Sequence, residues 1–284
     1  MGLSYKSGMD ANDQNGRDEL FAQLRLATAF LTRLPVDHRG ADDDPFPDPD
    51  EGPADLASAI WLFPLVGFAI GGAGALALGA LTWGGVPAAV AATLSIGAMV
   101  WLTGALHEDG LSDVADGFGG GEDREDKLEI MRDSRLGAYG TITLAVVIVT
   151  KIAALATIAT VDIGAAAGAL IAAATWSRAL FAPTMRWLAP AREDGLGALA
   201  GEPGEGTSWK GLGLAILLVL LVLATPAGYG IIVILAAGGL GAFVVGFIAL
   251  QQIGGYTGDV LGAAQQIAET AVLVAASAVI VGSI

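Results

Sequence analysis

Five side chains able to ionise or to ligate a metal fall within ten consecutive residues: His107, Glu108, Asp109, Asp113 and Asp116, in the stretch LHEDGLSDVADGFGG. Asp109, Asp113 and Asp116 stand at i, i+4 and i+7, so a helix through them carries three carboxylates on one face. Like charges so placed repel, and a divalent cation relieves the repulsion. Mg²⁺ takes oxygen ligands, keeps several waters and uses substrate phosphates to complete its shell. Asp109, Asp113 and Asp116 are therefore the expected metal ligands. The competing interpretation is a solvated acidic segment in an acidic protein. A metal site is favoured because these carboxylates border a neutral, membrane-length stretch. His107 has the chemistry of a general base, a metal ligand or a hydrogen-bonding group that orients a neighbour.

A second cluster, Arg132, Asp133 and Arg135, sits in IMRDSRLGAYG. Guanidinium forks clamp phosphate oxygens, although basic residues beside a span also serve to orient it. Arg178 lies near the end of an apolar stretch, placed either to reach a phosphate or to snorkel or pair within the bundle. In GGYTGDVLGA, glycines flank Thr257 and Asp259, as a tight backbone turn beside a ligand requires. Gly110, Gly117 and Gly119–Gly121 permit the same close approach, or serve as plain linker. No GxxxxGK[ST] phosphate loop occurs.

The elements holding these residues are read from charge and hydropathy. Of the 284 residues, 54% are hydrophobic and only 15% charged. No charged residue occurs from Ala57 through Leu106 or from Gly211 through Gly258. Soluble core helices keep a polar face, which these runs lack. The sequence predicts an all-α polytopic membrane protein of about seven transmembrane helices, near 57–82, 86–106, 136–160, 163–181, 211–226, 228–250 and 267–284, with an acidic cytoplasmic active-site loop. The short fifth segment is tilted, re-entrant or wrongly bounded. Residues 1–56 form a polar N-terminal region with an acidic insertion and a short interfacial helix over Leu20–Leu34, ended by Pro35. Residues 57–284 form the transmembrane catalytic domain.

Twelve of the fourteen basic residues fall in the N-terminal region, the loop after span two and the loop after span four. Pairs of spans separate these regions, so all three share one side, and the positive-inside rule makes it cytoplasmic. The 251–266 loop then lies inside and the C-terminus outside. Lys151 and Arg178 are the basic residues left within spans; Lys151 is expected to be structural or near the opposite interface.

The net charge of −15 argues against nucleic-acid binding, because phosphate backbones repel an acidic surface. Its density in DANDQNGRDE and ADDDPFPDPDEG fits a high-salt milieu, a reading that indifference of fold and activity to salt would overturn. With no cysteine, disulfides and thiolate chemistry are excluded. The N-terminus lacks the pattern of a standard signal peptide, so the first span is expected to direct insertion.

Several stretches together resemble the cobalamin (5′-phosphate) synthase family, adenosylcobinamide-GDP ribazoletransferase. They are FLTRLPV at Phe30–Val36, FPLVG at Phe63–Gly67, TGALHEDGLSDVADGFGG at Thr103–Gly120, IMRDSRLGAYG at Ile130–Gly140, the ARE-DGLG pattern at Ala191–Gly197 and GGYTGDVLGA at Gly254–Ala263. The family pattern HxDGLxDxxDG is complete here as His107, Asp109, Gly110, Asp113, Asp116 and Gly117. The long acidic insertion near 37–55 and the extended N-terminus depart from the family without touching that motif. The resemblance implies a multi-pass cell-membrane enzyme that needs Mg²⁺ and joins adenosylcobinamide-GDP to α-ribazole, or its 5′-phosphate, with release of GMP. For that reaction Asp109, Asp113 and Asp116 are expected on the metal, Arg132 and Arg135 on the departing GMP, and Asp133 or Asp259 orienting the nucleophile or a water. Oligomeric state and association with other enzymes of cobalamin synthesis stay open. A CDP-alcohol phosphotransferase is disfavoured, because Asp109-Gly110 is followed by Leu111, Ser112 and Asp113 rather than by its xxAR. A transporter is disfavoured by the two long uncharged runs.

Overall fold

The computed structural model describes residues 4–36, 56–193, 195 and 200–282. The acidic insertion at 37–55, with His38, and Asp194 lie outside the described residues. Helix is the only regular structure among these, apart from a single bridge between Pro190 and Tyr256. In chain order come α1 (Ser4–Leu31), α2 (Leu56–Ala59) running through a 3-10 turn into α3 (Phe63–Trp83), α4 (Ala88–Thr103), α5 (Leu106–Gly120), α6 (Arg124–Ile130), α7 (Ala138–Ala159), α8 (Ile163–Ala179), α9 (Phe181–Trp187), α10 (Glu205–Ala227), α11 (Ile231–Ile253) and α12 (Gly258–Gly282).

Five of the described helical runs are long and apolar enough to cross a membrane: Leu56–Trp83, Ala138–Ala159, Ile163–Trp187, Glu205–Ile253 and Gly258–Gly282. A sixth arises if α4 and α5, which meet at 90°, count as one broken span. The chain is thus an all-α, multi-spanning membrane protein. Large apolar side chains such as Leu217, Leu221, Ile232 and Val149 face outward, as a lipid-facing surface requires. Inside, small residues bring helices into contact. At Gly71 of α3 an added Cβ would lie 2.7 Å from the Cα of Ile171 in α8, so these backbones pack with no room for a side chain.

Several expectations change against this architecture. The acidic stretch expected as a loop is helix α5, and the helix before it, α4, ends at Thr103. The last helix starts at Gly258, well before the expected 267, because its polar residues are satisfied inside the bundle rather than in water. There Glu269 pairs with Lys151 at 2.8 Å and with Arg178 at 3.1 Å. Gln265 donates to Glu269 at 2.6 Å, and Gln266 donates to Glu108 at 2.9 Å. Lys151 therefore sits in the bundle interior, not near the opposite interface. In the N-terminal region α1 ends at Leu31, ahead of Pro35. Its last turns dock on the bundle: Trp61 donates to Gln23 at 3.0 Å, and Phe30 stacks on Phe63 with centroids 5.6 Å apart.

Candidate functional site: an acidic cleft at one end of the bundle

Helix α5 is aimed by its entry turn. Gly104 (φ 67°) and Ala105 (φ 59°) are both left-handed, which turns the chain through the right angle between α4 and α5. Glycine adopts this conformation freely, whereas for alanine it is strained. The turn is held by the Ala105 N–H on the Val100 carbonyl at 2.9 Å and by the Arg33 N–H on the Leu102 carbonyl at 3.0 Å.

From this start α5 presents its carboxylates as the i, i+4, i+7 spacing anticipates, but to three environments. Asp109 is exposed, Asp113 half-buried and Asp116 buried. Asp116 turns to the next element: its two oxygens accept the backbone N–H groups of Gly137 at 2.8 Å and Gly140 at 2.9 Å. A Cβ on either glycine would collide with this carboxylate. Asp116 therefore ties α5 to the start of α7 and fixes the RDSRLG turn between them.

The missing partner of the acidic face comes from α12. Asp109 and Asp259 line one cleft together with His107 and Arg192, and Asp113 feels the negative charge of Asp109, Asp259 and Asp116. Gly110 makes this proximity achievable, since an added Cβ would stand 2.9 Å from the Asp259 backbone. Asp259 occupies the first turn of α12, where an anion is favoured by the helix dipole. Thr257 caps the same turn: its hydroxyl donates to Asp259 at 3.1 Å and accepts the Val260 N–H at 3.3 Å. Arg192 reaches Asp259 at 3.6 Å.

Arg192 is delivered by a short backbone pairing. The Tyr256 N–H donates to Ala189 at 2.9 Å, and the Ala191 N–H donates to Tyr256 at 2.8 Å. Arg124 clamps the arrangement, its Nε donating to the Ile253 carbonyl at 2.9 Å and its terminal nitrogen to the Ala191 carbonyl. Arg192 belongs to the ARE-DGLG pattern, whereas Arg124, the first residue of α6, does not stand out in the sequence because the segments it joins lie far apart in the chain.

The remaining candidates divide. Arg132, Asp133 and Arg135 lie on the turn between α6 and α7, with Arg132 and Arg135 exposed. Asp133 and Arg135 form an ion pair, and that hydrogen-bonded guanidinium holds the Asp133 carboxyl below its ordinary range. Of the two alternatives for Arg178, a phosphate contact or a pairing within the bundle, the structure shows the pairing. Arg178 is buried in the bundle on Glu269 and on the carbonyl of Ala174, at 3.0 Å, and does not line the cleft. Its position near a span end says nothing of depth, and the buried Glu269 carboxylate is what draws it inward.

His107 faces the inner, apolar part of the cleft, against Phe181 with centroids 5.7 Å apart. Phe63 meets Phe181 edge-on at 5.5 Å. Phe30 and Phe63 belong to the FLTRLPV and FPLVG stretches, which gave no indication from sequence of lining a site.

Among the described residues no three His, Asp or Glu side chains close into a ready-made metal cage. The donor set nonetheless fits Mg²⁺. Asp109 offers hard oxygens in the cleft beside Asp259, and the half-buried Asp113 lies close enough to feel the charge of both. Mg²⁺ needs only one or two protein carboxylates when water and substrate phosphates supply the rest.

Fold and site define a multi-spanning helical membrane protein with a carboxylate-rimmed cleft at one end of its bundle. A family model described as cobalamin-5-phosphate synthase matches residues 23–277, and the chain belongs to that family. It is 42% identical over 255 residues to the adenosylcobinamide-GDP ribazoletransferase of Azorhizobium caulinodans, covering 89% of this chain and 94% of the relative. With the proteins of the same name from Mesorhizobium japonicum and Bradyrhizobium diazoefficiens it shares 41% and 40% over 261 residues, each covering 91% of this chain and 94% of the relative. No solved structure matches the chain.

Proposed function

We propose that this chain joins α-ribazole, or its 5′-phosphate, to the adenosylcobinamide phosphate of adenosylcobinamide-GDP and releases GMP. Family membership across nearly the whole chain supports the reaction. The observation that carries its siting is the meeting of α5 and α12 at Gly110 and Asp259, which gathers carboxylates from distant parts of the sequence at one mouth.

Asp109 and Asp113 would hold Mg²⁺, which supplies charge neutralisation on the pyrophosphate oxygens as GMP departs. Asp116, with both oxygens engaged by backbone N–H groups, supports that pair from behind instead of ligating. Asp259, set by Thr257 and the first turn of α12, takes the proton of the ribose hydroxyl as its oxygen attacks the cobinamide-side phosphorus. The new phosphorus–oxygen bond forms as the bond to the GMP oxygen breaks. Arg192 attracts the phosphate towards Asp259. Arg132 and Arg135, on the exposed turn pinned by Asp116, receive the leaving GMP. Asp133 keeps Arg135 in place and is assigned no proton transfer.

The site end of the bundle also carries Arg124, Arg132, Arg135, Arg186 and Arg192, so by the positive-inside rule we place it in the cytoplasm. We count seven crossings. As one straight helix Glu205–Ile253 would rise about 74 Å, against about 30 Å of hydrocarbon. Its two halves instead run in opposite directions: Gly211 packs on Trp61 at the site end, and Gly230 packs on Val279 at the other.

The experiment is product formation by the purified protein in vesicles, given adenosylcobinamide-GDP and α-ribazole with Mg²⁺ or with a chelator. GMP and the joined cobalamin are expected only with Mg²⁺. Absence of both products from folded protein with either ribazole form would reject the assignment.

A further inference from the structure

Behind the carboxylates the cleft changes character. Its inner wall is built of Phe30, Phe63, Phe181, Ile60 and Met185, with His107 set among them. His107 is 2% exposed, and neither ring nitrogen has a hydrogen-bond partner. A buried imidazole without partners is costly, because a neutral ring carries one N–H donor and one acceptor that water would otherwise satisfy. Nothing in the transfer reaction proposed above uses it, and unlike the exposed Asp109 in the same cleft it is buried against Phe181.

We propose that this aromatic recess is the seat of the lower base, and that His107 donates a hydrogen bond to the base's free ring nitrogen. The inference rests on the transferase reading and identifies where one of its substrates is held. The benzimidazole of α-ribazole is flat and apolar. One of its ring nitrogens is used in the bond to ribose, while the other keeps an in-plane lone pair. Flat rings stack or meet edge-on with phenylalanine, and a single N–H in an otherwise apolar wall recognises a single acceptor. The polarity runs in the right order: with the base inside the recess, its ribose points back toward Asp109 and Asp259 at the mouth, where its hydroxyl must react. A lipid chain would fill the apolar wall but leave the imidazole unsatisfied.

The test is calorimetric binding of α-ribazole alone to the vesicle-embedded protein, compared with the analogue whose free ring nitrogen is replaced by C–H (an indole riboside). The wild-type protein is expected to bind α-ribazole about tenfold more tightly than the analogue, the worth of one buried hydrogen bond. In His107→Phe, which keeps a flat ring and removes the donor, the two ligands are expected to bind equally. Preference retained in His107→Phe, or no preference in the wild type, would overturn the base seat. The comparison of ligands on unaltered protein decides the matter even if the variant does not fold. Turnover measured in parallel separates the two readings. Product formed without discrimination between ligands sinks the base seat alone, whereas discrimination in binding with no product sinks the transferase assignment and leaves a ribazole-binding recess.

Discussion

The Asp116 carboxylate accepts the backbone N–H of Gly140 at 2.9 Å, joining the acidic helix to the first turn of the next span. Its other oxygen holds Gly137. One buried side chain thereby sets the distance between the carboxylates of α5 and the arginines of the following turn. Replacing Asp116 with Asn turns one acceptor into a donor that faces an N–H. A loss of about 1–3 kcal/mol is expected, visible as a lower unfolding temperature in detergent together with reduced turnover. An unchanged unfolding temperature would show that these bonds do not hold the two elements.

Gly110 makes the complementary prediction. Its missing side chain lets α5 approach Asp259, and a methyl group there meets backbone rather than a yielding side chain. Gly110→Ala should reduce turnover at least tenfold through separation of Asp109 and Asp113 from Asp259. Gly72→Ala, on a helix surface with open space around it, should leave turnover within twofold. Equal effects at the two glycines would contradict the close-approach role.

Within the bundle, Glu269 answers both Lys151 and Arg178. Glu269→Gln removes the carboxylate that both buried cations contact, leaving Glu108 of the same interior pocket as the nearest carboxylate, and breaking a buried pair costs about 3–5 kcal/mol. The variant is expected to be recovered poorly and to unfold well below the wild type, as monitored by thermal denaturation. Full recovery with an unchanged melting temperature would show that the Glu269 pairs do not hold the bundle together.

The entry turn supplies a test of strain. Ala105 is the single described non-glycine residue with positive φ. Ala105→Gly should be neutral or stabilising by about 1 kcal/mol, whereas Ala105→Val should be destabilising, since a β-branched residue resists that conformation. Thermal unfolding of the pair decides it, and the reverse order would refute the strain.

Much of this is legible in the chain alone. Apolar length identifies a multi-spanning all-α membrane protein, and helical spacing puts Asp109, Asp113 and Asp116 near one face. Spacing does not tell which of the three is drawn inward, because that depends on Gly137 and Gly140 arriving from another element. It also cannot show that Asp259 faces Asp109, a pairing across most of the sequence that only the meeting of α5 and α12 creates. Arg178 illustrates the same limit: an arginine near a span end reads equally as a phosphate contact or an interior pair. Glu269 lies in a stretch assigned to a span, and charges stranded in separate spans are expected to find one another. Lys151, Arg178 and Glu269 were thus a signal of a buried network available from sequence.

In the proposed mechanism Asp113 belongs to the reacting centre and Asp116 to the scaffold. GMP release by vesicle-embedded wild type and Asp113→Asn, with both substrates and Mg²⁺ present and unfolding temperatures measured on the same samples, distinguishes these roles. The expected result is rapid release by the wild type and a loss of at least a hundredfold in Asp113→Asn, with an unfolding temperature at or above that of the wild type. Near-normal release by Asp113→Asn would remove this carboxylate from the chemistry and contradict the assignment of the cleft.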